Sequence, residues 1–351
     1  MTVSRRPSRR PDPAGDPGAD RTDPHRLRVR RPVDFLAVIP YLLGFHPDES
    51  LVAVLSGRGR VVLTARLDLP PPEDAGVVAA QVGRLSGQHG VDELVLVGYS
   101  DDEARARRVL EQLRAELRDR VPVREVVLVS RARWWSLTCQ TGCCPADGAV
   151  FDPDAHPLAA EAVYRGFSAG RSRAALEALV ARPPEEALPR LRGLVAQARA
   201  DLATTERPVA AEAMAAAVRD ALADPDGPGE AAAARLAVLT LDLAVRDVAW
   251  AMLSRSAAEE HQRVWARVLA ATPPEVAPGP LGLLGAAAWV GGNGALLNCC
   301  VERLEVDHPR YTLGRLLADL SERALPPGLW DELAGDLRRE VRAQTGVRGL
   351  Q

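Results

Sequence analysis

Lysine is absent from this chain of 351 residues, so all 44 residues counted as lysine or arginine are arginine. Together with the abundance of alanine, proline and glycine, this absence indicates a GC-rich genome rather than selection for guanidinium chemistry. It also excludes an ordinary phosphate-binding P-loop, whose glycine-rich turn ends in a lysine. The glycine-rich fingerprint of dinucleotide-binding domains is missing as well. The common nucleotide-binding signatures therefore do not apply.

Cysteine and long apolar runs are also scarce. Five cysteines, an odd number, argue against a disulfide framework. No window is long enough to cross a bilayer, and the N-terminus lacks the continuous apolar segment of a signal peptide. We therefore expect reduced thiols and a cytoplasmic protein that does not contact a membrane. With 47% hydrophobic residues, the chain can bury two hydrophobic cores.

Charge is distributed unevenly along the chain. Residues 1–31 contain nine arginines and four aspartates, a net charge of about +5, whereas the remainder contains 35 arginines and 43 acidic residues, about −8. Because residues 1–31 contain almost no apolar side chains, we predict a disordered arginine-rich tail. Such a tail can bind nucleic acid by neutralising phosphates. It lacks, however, the interleaved aromatic residues that stack on bases.

Residues 32–156 have the pattern of an α/β domain. An apolar helix is predicted over Pro32–Leu43, ending at Gly44, and is followed by a buried strand and a tight turn. The returning strand alternates apolar and polar residues, which places it near a sheet edge. Two more buried strands, at 94–98 and 123–129, alternate with helices, and this order favours right-handed parallel crossovers. We expect a three-layer α/β domain with a mixed, mainly parallel sheet and an attached β-hairpin.

Residues 157–351 are predicted to form an all-α helical domain. Runs of β-branched residues disappear, and alanine and leucine dominate. The clearest helix pair, Gly294–Val306 and Tyr311–Leu320, is joined by a short turn and resembles the helical hairpins of tetratricopeptide-like arrays, although no fixed period is visible. The segment Gly291–Gly294 follows a helix rather than a strand, so it predicts a helix–helix turn and not a phosphate cradle.

A polar turn between the first helix and the first strand holds the first candidate site. His46, Asp48, Glu49 and Ser50 supply an imidazole, two carboxylates and a hydroxyl, the groups that acyl transfer uses as base, orienting acid and nucleophile. The serine is not on a G-x-S-x-G elbow, and side chains so close in sequence usually point in different directions. We favour a structural turn in which Asp48 caps backbone N–H groups.

Three cysteines, Cys139, Cys143 and Cys144, lie within six residues and follow a pair of tryptophans. With His156 as the fourth ligand they would complete a tetrahedral zinc site, but C-x3-C-C is not a zinc-ribbon or knuckle spacing. A redox or nucleophilic pair would need a thiol of lowered pKa. We favour small buried residues packed under the tryptophans and predict no cofactor, with zinc as the less favoured alternative.

The carboxyl ends of the predicted parallel strands are a third candidate site, since open α/β sheets bind ligands there. Tyr99 and Ser100 end one strand, and Arg131, Arg133 and Trp134 follow the next. The arginines would supply positive charge to a small ligand, and Tyr99 or Trp134 a stacking face. Two aspartates at the start of the following helix would repel phosphate, so we favour solvated loop ends over a binding site.

Three segments in order resemble an actinobacterial family known as domain of unknown function 4192. They are PYLLGFHPDESLVAV at Pro40–Val54, RWWSLTCQTGCCPADG at Arg133–Gly148 and AWVGGNGALLNCCVERLEVDHPRYTLGRLL at Ala288–Leu317. The resemblance spans nearly the whole chain beyond the tail. It implies a shared fold and an actinobacterial source, and it carries no activity, cofactor or partner.

No segment forms a complete active-site signature, so we predict a non-catalytic binding or scaffold protein. In this hypothesis the helical domain presents a groove to an unknown protein partner. The first alternative is an enzyme, a hydrolase or transferase, with its site at the His46–Ser50 turn or the Cys139–Cys144 loop. The second alternative is a nucleic-acid accessory protein that uses residues 1–31.

Overall fold

The computed structural model describes residue 29 and residues 31–139, 145–164 and 173–349. Nearly all of the predicted tail therefore lies outside the described residues. The chain divides into two compact units, Met1–Arg173 and Ala174–Gln351, which we call the sheet unit and the helical unit. Among the described residues, no helix combines the length and apolar character needed to cross a membrane.

Helix α1 (Pro32–Leu43) has the bounds that the sequence predicts. Its first turn is capped by Asp34, whose carboxylate accepts a hydrogen bond of 3.0 Å from the backbone N–H of Arg31. Gly44 ends the helix with a φ of 80°, a left-handed conformation that glycine adopts without strain. Phe35 and Ile39 are buried against the sheet.

The remaining elements of the sheet unit are strands joined by turns and helices. They are β1 (Ser50–Gly57), β2 (Arg60–Asp68), α2 (Ala75–Gln88), β3 (Glu93–Tyr99), α3 (Glu103–Leu117), β4 (Val123–Ser130), β5 (Arg133–Ser136), β6 (Ala149–Val150) and α4 (Pro157–Tyr164). The hairpin of β1 and β2 and the two buried strands β3 and β4 are those that the sequence predicts. The short strands β5 and β6 were not predicted.

The sheet is mixed, but the prediction that it is mainly parallel is wrong. Its six strands lie in the order β2-β1-β3-β4-β5-β6, and in the described residues the β3–β4 pair is the single parallel pair. The helical crossovers do make β2, β3 and β4 run in the same direction. The prediction fails because β1 lies between β2 and β3, and because β5 folds back on β4.

Helices cover both faces of the sheet. Val52, Val95 and Val127 belong to a core cluster with residues of α1 on one face. Side chains alternate between faces along a strand, so Leu96 and Leu128 point to the opposite face, where α3 packs on β3 and β4. This arrangement gives the three layers that the sequence predicts.

The helical unit contains the second half of the chain. Its helices are α5 (Arg173–Leu179), which starts at the boundary, then α6 (Leu188–Leu202), α7 (Arg207–Ala223), α8 (Glu230–Leu239), α9 (Leu243–Ala251), α10 (Ala258–Ala270), α11 (Pro278–Gly291), α12 (Gly294–Asp307), α13 (Thr312–Glu322) and α14 (Leu329–Thr345). The Gly291–Gly294 segment is a helix–helix turn, as predicted: Gly292 ends α11, and the side chain of Asn293 caps α12 by accepting a hydrogen bond from the N–H of Leu296 at 3.1 Å.

Helix α11 is almost completely buried and packs against α10, α12 and α13. Gly285 lets α13 approach it closely, because a Cβ atom at this position would lie 2.8 Å from Cδ1 of Leu317. The hairpin of α12 and α13 therefore rests on a buried helix.

Candidate functional site

The sheet brings two of the predicted polar segments to one edge. Because β1 is antiparallel to β3, Ser50 at the start of β1 pairs with Tyr99 at the end of β3. The parallel β3–β4 pair places Val129 beside Tyr99. The His46–Ser50 turn and the carboxyl ends of β3 and β4 therefore lie together. We call Glu49, Ser100, Asp101 and Arg105 the sheet-edge cluster.

Glu49 is the centre of the sheet-edge cluster. Its Oε1 accepts hydrogen bonds from Oγ of Ser100 at 2.9 Å and from the backbone N–H of Asp101 at 3.0 Å. Nη1 of Arg105 lies 4.0 Å from Oε2. The Glu49 carboxylate thus lies just ahead of α3, where an external anion would otherwise bind.

Ser50 is also committed to internal bonds. Its Oγ donates a hydrogen bond to the backbone carbonyl of Asp48 and accepts one from Nε of Arg66 at 2.9 Å. The Asp48 carboxylate in turn accepts a hydrogen bond of 3.0 Å from the N–H of Glu49. The serine proton therefore points to a carbonyl and not to a base that would activate the hydroxyl as a nucleophile.

His46 is directed away from Ser50. Its Nε2 lies 3.9 Å from Oδ1 of Asp154, and both side chains are largely exposed. Asp154 follows β6 and was not singled out from the sequence. The imidazole and the hydroxyl of the candidate base–nucleophile pair are thus not joined by a hydrogen bond in the described part of the turn.

His156, the fourth ligand in the less favoured zinc alternative, is occupied through both ring nitrogens. Nδ1 accepts a hydrogen bond of 3.3 Å from the N–H of Leu158, and Nε2 lies 3.5 Å from Oδ1 of the buried Asp34. Cys139 is partly buried, whereas Cys143 and Cys144 lie outside the described residues. Within the described ranges no group of three or more histidine, cysteine or acidic residues is arranged to hold a metal ion.

The candidate stacking faces at the strand ends belong to the core. Tyr99 and Trp134 both pack against the core cluster beneath α1, and burial raises the pKa of the Tyr99 hydroxyl. Arg133 donates a hydrogen bond of 2.9 Å to the carbonyl of Gly148. Arg131 is mostly exposed, with Nε 4.0 Å from Oδ1 of Asp101. These side chains therefore do not converge on a common ligand.

A second surface lies on the helical unit along α12 and α13, and its charged residues were not predicted to form a site. It is an open groove of about 620 Å³, which we call the α12–α13 groove. Its lining includes Leu304, Glu305, His308, Tyr311, Arg315, Leu316, Asp319 and Glu322. In the sequence these charged residues look like the solvated face of an amphipathic hairpin.

The α12–α13 groove is rich in groups that accept hydrogen bonds. Asp319 pairs with Nε of Arg323 at 2.8 Å. The exposed Glu305 and Glu322 have no hydrogen-bond or ion-pair partner within the described ranges. Burial lowers the pKa of His308, and its buried Nε2 also lacks a partner there. That nitrogen is shielded from solvent, so it is not presented at the surface of the groove.

One wall of the groove is held by a buried network. Tyr311 accepts a hydrogen bond of 2.9 Å from Nη1 of Arg246, whose guanidinium also lies 5.6 Å from the centre of the tyrosine ring. Nε of Arg246 donates to Oδ1 of Asp247 at 2.8 Å. Because Arg246 is only 5% exposed, this network fixes the position of Tyr311.

A smaller cavity of about 380 Å³ lies beside α5 and α12. Its most prominent charges compensate one another, since the Asp307 carboxylate accepts hydrogen bonds from both Arg182 and Arg303. The hydrogen bond from Arg182 is the main reason that the pKa of Asp307 is lowered. The Asp307 carboxylate in this cavity is therefore already paired, unlike Glu305 and Glu322.

The structure thus defines a two-unit protein with a mixed α/β sheet unit, a helical unit and an open groove on the latter. A family model described as Domain of unknown function (DUF4192) matches residues 32–328. Since the match spans most of the chain, the protein belongs to this family, and the family resemblance is confirmed. Neither the curated proteins nor the solved structures gave a significant match.

Proposed function

We propose that this protein is a non-catalytic binding protein and that the α12–α13 groove of its helical unit receives a second polypeptide. One observation carries the proposal: Glu305 and Glu322 in the groove have no partner within the described residues. Carboxylates that line a concave surface without an internal partner are available to a ligand. The carboxylate of Glu49, by contrast, already accepts bonds from its neighbours.

The arrangement at the sheet edge supports binding over catalysis. A general base must lie within hydrogen-bond reach of the proton that it removes. The Ser50 hydroxyl donates to a backbone carbonyl, and His46 faces Asp154. A hydrolase or transferase at this turn would need both side chains to reorient.

The dimensions of the groove also support a binding role. Its volume of about 620 Å³ falls within the range of roughly 300–1,000 Å³ that is typical of ligand sites. Leu304 is buried at its base, and Leu316 is 40% exposed at its surface. An apolar floor with polar groups at the rim is the usual composition of a polypeptide-binding surface.

Site-specific photocrosslinking tests this proposal. We would place p-benzoylphenylalanine at position 316 of the full chain, and at position 333 on α14 as the matched control. Leu316 and Leu333 are both exposed leucines, at 40% and 45%, and Leu333 does not line the groove. We expect position 316 alone to crosslink one polypeptide, identified by mass spectrometry, which then binds the full chain when both are purified.

The proposal fails if both positions capture the same polypeptides, or if the purified candidate does not bind. It also fails if the purified chain hydrolyses a panel of ester and phosphoester substrates and Ser50→Ala abolishes that activity. The latter result would establish the enzyme hypothesis at the sheet edge.

A further inference from the structure

We draw no further inference here: the strongest candidate, the cavity of about 380 Å³ beside α5 and α12, in which Nη2 of the buried Arg303 has no hydrogen-bond partner among the described residues, carries nothing because this nitrogen is shielded from solvent and does not face a ligand in the cavity.

Discussion

The sheet-edge cluster and the α12–α13 groove contain the same kinds of side chain but differ in how these are satisfied. At the sheet edge, the segment leading into α3 contains backbone N–H groups outside the helical hydrogen-bond pattern, and the Glu49 carboxylate accepts a hydrogen bond from that of Asp101. In the groove, Glu305 and Glu322 extend from helices whose backbone donors are already bonded within the helix. Nearby backbone donors thus turn a carboxylate into a structural group, and their absence leaves it available to a ligand.

The largest expected effect is on the pH dependence of stability, which should differ between the helical unit and the sheet unit. Burial lowers the pKa of His261, on α10 of the helical unit, from the ordinary value of 6.5 to about 4. Between these values the unfolded chain takes up a proton that the folded chain does not. The free energy of unfolding therefore has its full value above about pH 6.5 and falls as the pH is lowered towards 4. Below about pH 4 the contribution of the neutral His261 is lost. At about 1.4 kcal/mol per pKa unit, the loss is on the order of 3 kcal/mol.

Hydrogen exchange, resolved by peptide, measures this loss in the helical unit separately from the sheet unit. His261→Leu removes this titrating group and should reduce the pH dependence of the helical unit across that interval, while His308, whose pKa burial also lowers, retains a share of it. If the variant loses as much stability as the unmodified protein, another group is responsible.

A smaller effect is expected at the sheet edge. Glu49→Ala removes the acceptor for Ser100 and Asp101, and the free energy of unfolding should fall by about 1–2 kcal/mol. The side chain of Glu49 is 51% exposed, so water replaces part of the lost bonding. Urea unfolding would measure the change in overall stability, and hydrogen exchange in α3 and β3 would measure the local change. An unchanged stability would mean that the cluster does not hold these elements together.

Glu49→Gly sharpens this measurement. Glu49 has a φ of 40°, in the left-handed region that strains every residue with a Cβ atom. Glycine loses the same hydrogen bonds but relieves that strain, so it should be more stable than the alanine variant by about 1 kcal/mol. If glycine proves the less stable of the two, backbone strain at Glu49 is not a significant term.

The smallest effect is expected in the groove. Glu305→Gln with Glu322→Gln removes two carboxylates that have no partner in the described residues. Surface substitutions of this kind usually change stability by less than about 0.5 kcal/mol. The thermal unfolding temperature should therefore be unchanged, whereas binding of the polypeptide captured at position 316 should weaken. A substantial loss of stability would place these carboxylates in the same structural class as Glu49.

Local features of the fold could be predicted from sequence, and long-range features could not. The bounds of α1 and the turn between α11 and α12 follow from a few adjacent residues with strong conformational preferences. The insertion of β1 between β2 and β3 is a long-range pairing that strand periodicity does not encode. Strands β5 and β6, with four and two residues, are too short to show a period.

The same distinction holds for the candidate sites. The sequence indicates Glu49 and Ser100 as candidates in two separate sites, because each lies beside a strand. Their hydrogen bond joins positions 51 residues apart. Glu305 and Glu322 resemble any charged residues on the exposed side of an amphipathic helix. Only the folded chain shows that they line a concave surface and lack partners within the described residues.

The position of β1 has a consequence for synthesis on the ribosome. Its hairpin with β2 emerges first, and one side of β1 then presents a row of unbonded amides and carbonyls until β3 has been made, since Ser50 pairs with Tyr99. During that interval the nascent chain exposes a strand that any other extended segment can join. The arrival of Glu93–Tyr99 covers this edge of β1, and the edge of β3 is covered in turn when β4 has been made.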